Sequence, residues 1–137
     1  MENELKVVDI FIGTTLRGSA KGSGRAMYIM RTKRKNGSDY EAAPQIVEYD
    51  NTTESESVLR AIRDALQRLH YACTVVIHTE CSYVASAITQ HWPEKWQRNG
   101  WKSAKGNPVK NAVLWEMLLQ DVEDGGHILL AEGMDAL

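Results

Sequence analysis

The chain is short of almost everything that would mark it as other than an ordinary folded domain. It has two cysteines, three prolines and one phenylalanine in 137 residues. Cys73 and Cys81 lack CxxC spacing and are too few for a disulfide framework, which fits a reducing compartment. His70, His78, His91 and His127 show no ligand spacing with them, which argues against zinc. No apolar run approaches the roughly 20 residues a bilayer helix needs, so no membrane partner is expected. The opening Met1–Lys6 is acidic where a secretory leader would be basic and then apolar, and the cytosol is the expected compartment. Internal repeats and low-complexity stretches are absent. The glycine-rich run from Gly18 to Gly24 matches neither the nucleotide-binding loop nor GxGxxG and reads as a flexible turn.

What is present is balanced. Hydrophobic residues make up 43% and charged residues 25%, the proportions of a single soluble globular domain, here 1–137. The formal net charge is only -2. Its placement is uneven. Arg17, Lys21, Arg25, Arg31, Lys33, Arg34 and Lys35 fall between Ile10 and Lys35 with no acid among them. Lys95, Arg98, Lys102, Lys105 and Lys110 fall between Trp92 and Asn111 against Glu94 alone. Phosphate contacts need local rather than total positive charge, so two basic segments in an otherwise acidic chain fit a nucleic-acid surface; solvated secondary structure is the other reading.

The periodicity alternates between strand and helix. Val7 to Ile12 is a β-branched and aromatic run ending at Gly13. Met27 to Lys33 and Gln45 to Tyr49 read as arms of a hairpin, with Asn36 and Gly37 supplying a tight turn. Thr53 with Glu54, Ser55 and Glu56 is a helix-start signature, and Val58, Leu59, Ile62, Ala65, Leu66 and Leu69 then form one buried stripe. A strand over Thr74 to His78 follows, then a short helix over Tyr83 to Gln90 and another opened by Pro93. A helix over Val113 to Val122, closed by Gly125 and Gly126, precedes a last strand over Ile128 to Ala131. This order predicts an α/β domain, a mixed sheet with helices packed on it.

The run Thr79, Glu80, Cys81, Ser82, Tyr83, Val84, with Ala87, Ile88, Thr89 and Gln90, leads into Trp92, Trp96, Asn99 to Lys102, Pro108 to Asn111, Leu114 and Trp115. Together with Ile10 and Phe11 and with Asn51, Thr52 and Thr53, these residues resemble the type 1 ribonuclease H family over Val7 to Ala131. The resemblance implies a five-stranded mixed sheet with helices on both faces, here without the family's C-terminal helix. It also implies a surface for RNA/DNA hybrids and hydrolysis of the RNA strand by two metal ions held on a carboxylate cluster.

On this resemblance the family's carboxylate positions fall on Gly13, Val58 and Glu80, and the fourth lies past the end of the chain, with Asp135 too early to match it. Glu54, one helical turn before Val58, is the best substitute. Asp9 lies about 13 Å back along its strand, too far to share an ion. Glu80 is therefore the one expected metal ligand, with no resident cofactor and at most weak Mg2+ or Mn2+. Restoring Gly13→Asp and Val58→Glu should raise magnesium affinity. The nucleic-acid contacts implied are Thr53, Lys95, Arg98, Lys102, Lys105 and Lys110, while the tryptophans are read as packing and Trp115 as core. The family's two asparagines that touch the RNA strand fall on Glu54 and Ser55.

Three readings of function stand. The first is a duplex-binding domain, for an RNA/DNA hybrid or another duplex, with absent or reduced hydrolysis, a pseudoenzyme. The second is a metal-dependent ribonuclease with a rebuilt Glu80 and Glu54 site. The third is a protein-interaction module, whose mark would be a large exposed apolar surface.

Overall fold

The computed structural model describes residues 5–133; Asp135 and the chain ends lie outside them. The order is β1 (Lys6–Thr14), β2 (Gly22–Lys33), β3 (Asp39–Glu41), β4 (Gln45–Thr52), α1 (Glu54–Gln67), β5 (Cys73–Thr79), α2 (Ser82–Thr89), α3 (Trp92–Arg98), α4 (Ala112–Gly125) and β6 (Ile128–Gly133). All strands join one mixed sheet. β1 pairs antiparallel with β2 and parallel with β5, and β5 pairs parallel with β6. Both β3 and β4 pair with β2, β3 opposite Arg31 to Lys33 and β4 opposite Gly22 to Tyr28. They share one edge position, broken where Pro44 can give no ladder hydrogen bond, so the sheet is five positions wide, as expected. The short β3 was not foreseen. Three residues beside an Asn-Gly turn carry too little pattern to register; the turn itself closes with Arg34 N–H donating to Ser38 O at 2.8 Å.

The core follows the strand alternation. Val8, Ile10 and Ile12 of β1 and Cys73, Val75 and Ile77 of β5 point to one face and are buried there. On that face they meet Val58, Leu59, Ile62, Ala65 and Leu66 of α1, Val84, Ala87 and Ile88 of α2, and Trp115 and Leu118 of α4. The expectation of helices on both faces needs correcting: among the described residues the helices cover one face. The opposite face carries Phe11, Ile29 and Val76, half-buried, with Val7, Met27, Ile46, Ile128 and Leu130 exposed at 46–58%. It also carries a polar row. His78 Nε2 lies 2.8 Å from Asp9 Oδ1, and the His78 ring stacks on Phe11 at 4.3 Å.

Candidate functional site

The carboxyl ends of the parallel strands β1 and β5 lie side by side, Ile12 opposite Thr79. In sheets of this kind such ends are where ligands bind, because the chain must leave them as loops. Gly13 and Thr14 close β1, Glu80 follows β5 directly, and the amino end of α1 supplies Glu54. Gly13, Glu54 and Glu80 line one cavity of about 10 Å³, together with Arg17. The structure thus brings Glu54 and Glu80 to one cavity.

The carboxylates there are engaged. Arg17 Nη2 donates to Glu80 Oε2 at 3.1 Å, and the Gly18 N–H donates to Glu54 Oε1 at 3.0 Å. The Arg17 Nη1 group is held by its own turn, donating to Thr14 O at 2.7 Å, Thr14 Oγ1 at 2.9 Å and Leu16 O at 2.9 Å. Gly18 makes that turn with φ +72, and Gly24 lets the next strand pass close by: a Cβ there would lie 3.0 Å from Thr52 Cγ2. The glycine run is therefore a turn running into β2. Sequence reasoning counted Arg17 only as one charge in a basic run. Nothing local signals its partner, which is 63 residues away.

Gly13 and Val58 differ sharply in what could stand there. A Cβ on Gly13 would meet nothing within 4 Å. Val58 is 1% exposed inside the core cluster. A glutamate at Val58 would bury its carboxyl among apolar side chains, whereas Gly13 has room for an aspartate.

Thr53 also takes another role than the expected phosphate contact. It is 2% exposed, and its hydroxyl caps α1 by accepting the Glu56 N–H at 3.3 Å. Ser55, 6% exposed, accepts from Asn111 Nδ2 at 3.0 Å and so ties α1 to the start of α4. Cys81 is buried, and burial raises its thiol above the usual range, against a nucleophilic role.

The basic segment is built differently. Trp92 and Trp96 of α3 pack on the core, Trp96 edge-on to Trp115 at 6.2 Å, and Trp101 packs there too. Trp115 is fully buried and donates to Tyr83 Oη at 3.1 Å. After α3 the chain folds back on itself: Lys102 bridges Pro108, Ser103 N–H donates to Asn107 O at 2.8 Å, and Val109 N–H to Trp101 O at 3.0 Å. Asn99 Nδ2 braces the turn through Lys102 O at 2.8 Å. The tryptophans pack, as read from the sequence. Lys95, Arg98, Lys102, Lys105 and Lys110 are all exposed, and none forms an ion pair among the described residues.

A two-ion centre does not fit these residues. Hard divalent ions need several anionic oxygens to offset lost hydration. Two glutamates face the cavity, each already accepting a hydrogen bond, and no cluster of three or more His, Cys, Asp or Glu suited to a metal exists among the described residues.

A sheet with a long antiparallel hairpin, a parallel extension, helices on one face and a basic tryptophan-packed protrusion defines an α/β domain of ribonuclease H-like fold. The RNase H family model matches residues 9–129, and the chain belongs to that family. Ribonuclease H of a Thermoanaerobacter species is 31% identical over 121 residues, 88% of this chain and 73% of that protein. Ribonuclease H of Caldicellulosiruptor saccharolyticus is 41% identical over 71 residues, 52% of this chain and 49% of that protein. The matched stretches thus span about half to three-quarters of these curated relatives. Among solved structures, LC9-RNase H1, a type 1 RNase H with the type 2 active-site motif, superposes with a TM-score of 0.79 at 21% identity, covering 99% of this chain and 66% of that one. The foamy viral protease-reverse transcriptase in complex with RNA/DNA hybrid gives a TM-score of 0.71 at 15% identity, over 96% of this chain and 18% of that one.

Proposed function

We propose that this domain binds double-helical nucleic acid, an RNA/DNA hybrid before other duplexes, and cleaves it slowly or not at all. The observation that carries the reading is the contrast in charge between two neighbouring regions. Five exposed cations on a braced protrusion form no ion pair among the described residues, while the sheet end beside it has two glutamates, one held by a guanidinium. Unpaired cations release counterions when they meet phosphates, which supplies affinity without any chemistry. At the sheet end, hydrolysis lacks the anionic oxygens that would hold its ions.

Gel shifts on hybrid, duplex RNA, duplex DNA and a single strand across a salt series test this, with labelled hybrid followed for cleavage in Mg2+ and Mn2+. Hybrid binding that weakens with salt, without turnover at the rate of an active ribonuclease H, supports it. No binding at low salt, or turnover at that rate, overturns it. A second reading, a nuclease working through Glu80 and Glu54, draws on their sharing one cavity. Manganese-dependent cleavage abolished by Glu80→Gln is its expected result.

A further inference from the structure

We propose that Arg17 is a resident cation of the sheet end, a tethered charge that occupies Glu80 and excludes divalent ions from it. This deepens the reading above and rests on it for its purpose, though its test needs no nucleic acid.

The contacts of the guanidinium carry the argument. It meets four oxygens: two main-chain carbonyls, from Thr14 and Leu16, one hydroxyl, from Thr14, and the Glu80 carboxylate. Carbonyl, hydroxyl and carboxylate oxygens are the donors a hard cation takes. Here one covalently attached cation collects them. The arrangement is held from both sides. Three of the contacts lie within the turn that carries Arg17, so the side chain is oriented before it reaches Glu80. The same turn uses the Gly18 N–H to engage Glu54, the other carboxylate of the cavity. The space left between them is about 10 Å³, roughly one water's worth and too little for a hydrated divalent ion.

The geometry also explains why Arg17 is tolerated there. Gly13 presents only a hydrogen beside that turn, and nothing lies within 4 Å of its Cβ direction, so the space there is open. With no carboxylate at Gly13 the sheet end has fewer charges to balance, and a single positive charge suffices. The Arg17 and Glu80 side chains are 59% and 39% exposed, so the pair is screened, and solvent can deliver a competing ion. Exclusion is therefore a matter of charge and of occupied oxygens, and it can be measured as a competition.

Manganese alone is the probe, titrated into the full chain and followed by the loss of the free-ion electron paramagnetic resonance signal. Arg17→Gln should bind Mn2+ about tenfold more tightly than the parent, the factor that repulsion between a unit charge and a divalent ion roughly 5 Å apart gives in a water-like dielectric. Arg17→Lys keeps the charge and should stay near the parent value. Arg17→Gln combined with Glu80→Gln should lose the gain. Circular dichroism confirms the fold of each variant, which an exposed side chain leaves intact. Equal or equally absent binding in parent and Arg17→Gln overturns the proposal, as does a gain that survives Glu80→Gln. Duplex binding can fail in gel shifts while this competition holds, so the two readings stand or fall separately.

Discussion

The protrusion from Trp92 to Asn111 and the sheet end around Glu80 lie side by side and treat charge in opposite ways. In the protrusion, apolar and hydrogen-bonding side chains do the structural work, and the cations are left over. Trp92, Trp96 and Trp101 anchor it, Asn99 and Ser103 brace the turn, and none of its five cations is paired among the described residues. At the sheet end the charged groups do the structural work themselves, Arg17 with Glu80 and Glu54 with the Gly18 amide. Charge that a fold has already satisfied is not offered to a partner. Under the proposed function the protrusion would meet the phosphates, while the carboxylates of the sheet end are engaged within the chain.

The contrast breaks most completely if the protrusion loses its footing. Trp115 has no exposed surface and supports both Trp96 and Tyr83. Trp115→Ala should cost about 3–5 kcal/mol, read from the midpoint of urea unfolding, and binding should fall with it. On the other side, Val58→Glu should cost about 3 kcal/mol because it places an unpaired carboxyl in the core, whereas Gly13→Asp should change stability by less than about 0.5 kcal/mol. Equal costs for the two would mean that Val58 is not where the packing puts it. Replacing Lys95, Arg98, Lys102 and Lys105 together by Gln should weaken duplex binding by about a hundredfold and lower the slope of log affinity against log salt by about four, with stability unchanged. An unaltered slope would move the phosphate contacts elsewhere.

What could be read from the sequence was local. The cap at Thr53, the stripe of α1, Pro93 at a helix start and the Asn36 turn each rest on residues within a few positions of one another, and each is found. The family was legible for a related reason: the tryptophan spacings lie in one continuous block. What was missed depends on pairing between distant strands. β1 lies parallel to β5 across about sixty residues, and that pairing brings Asp9 to His78 and Arg17 to Glu80. No short-range pattern encodes it. Val58 is the instructive case. Helical spacing put it in the buried stripe while the family comparison put it at a carboxylate position, and the packing agrees with the spacing. Likewise the phosphate role expected of Thr53 gave way to its cap, since one hydroxyl cannot be both buried at a helix start and offered to solvent.

Tyr83 is the joint between the two regions, and a modest expected effect probes it. It follows Cys81 and Ser82 at the sheet end, its hydroxyl accepts the Trp115 indole N–H at 3.1 Å, and it donates to Lys110 O at 3.4 Å. Tyr83→Phe should cost about 1 kcal/mol near neutral pH, since it leaves the indole N–H without its acceptor. Burial, first among the causes, raises the Tyr83 hydroxyl above its ordinary value of 10.0. A raised value means that the folded state holds the proton more tightly than the unfolded chain does. The stability this contributes is complete below pH 10 and is lost as pH climbs from 10 through the raised value, where the unfolded chain ionises first. Urea unfolding at pH 7, 10 and 11 should therefore show the gap between parent and Tyr83→Phe narrowing above pH 10. A gap that stays constant or widens would mean that the hydroxyl is not confined between the protrusion and the sheet end.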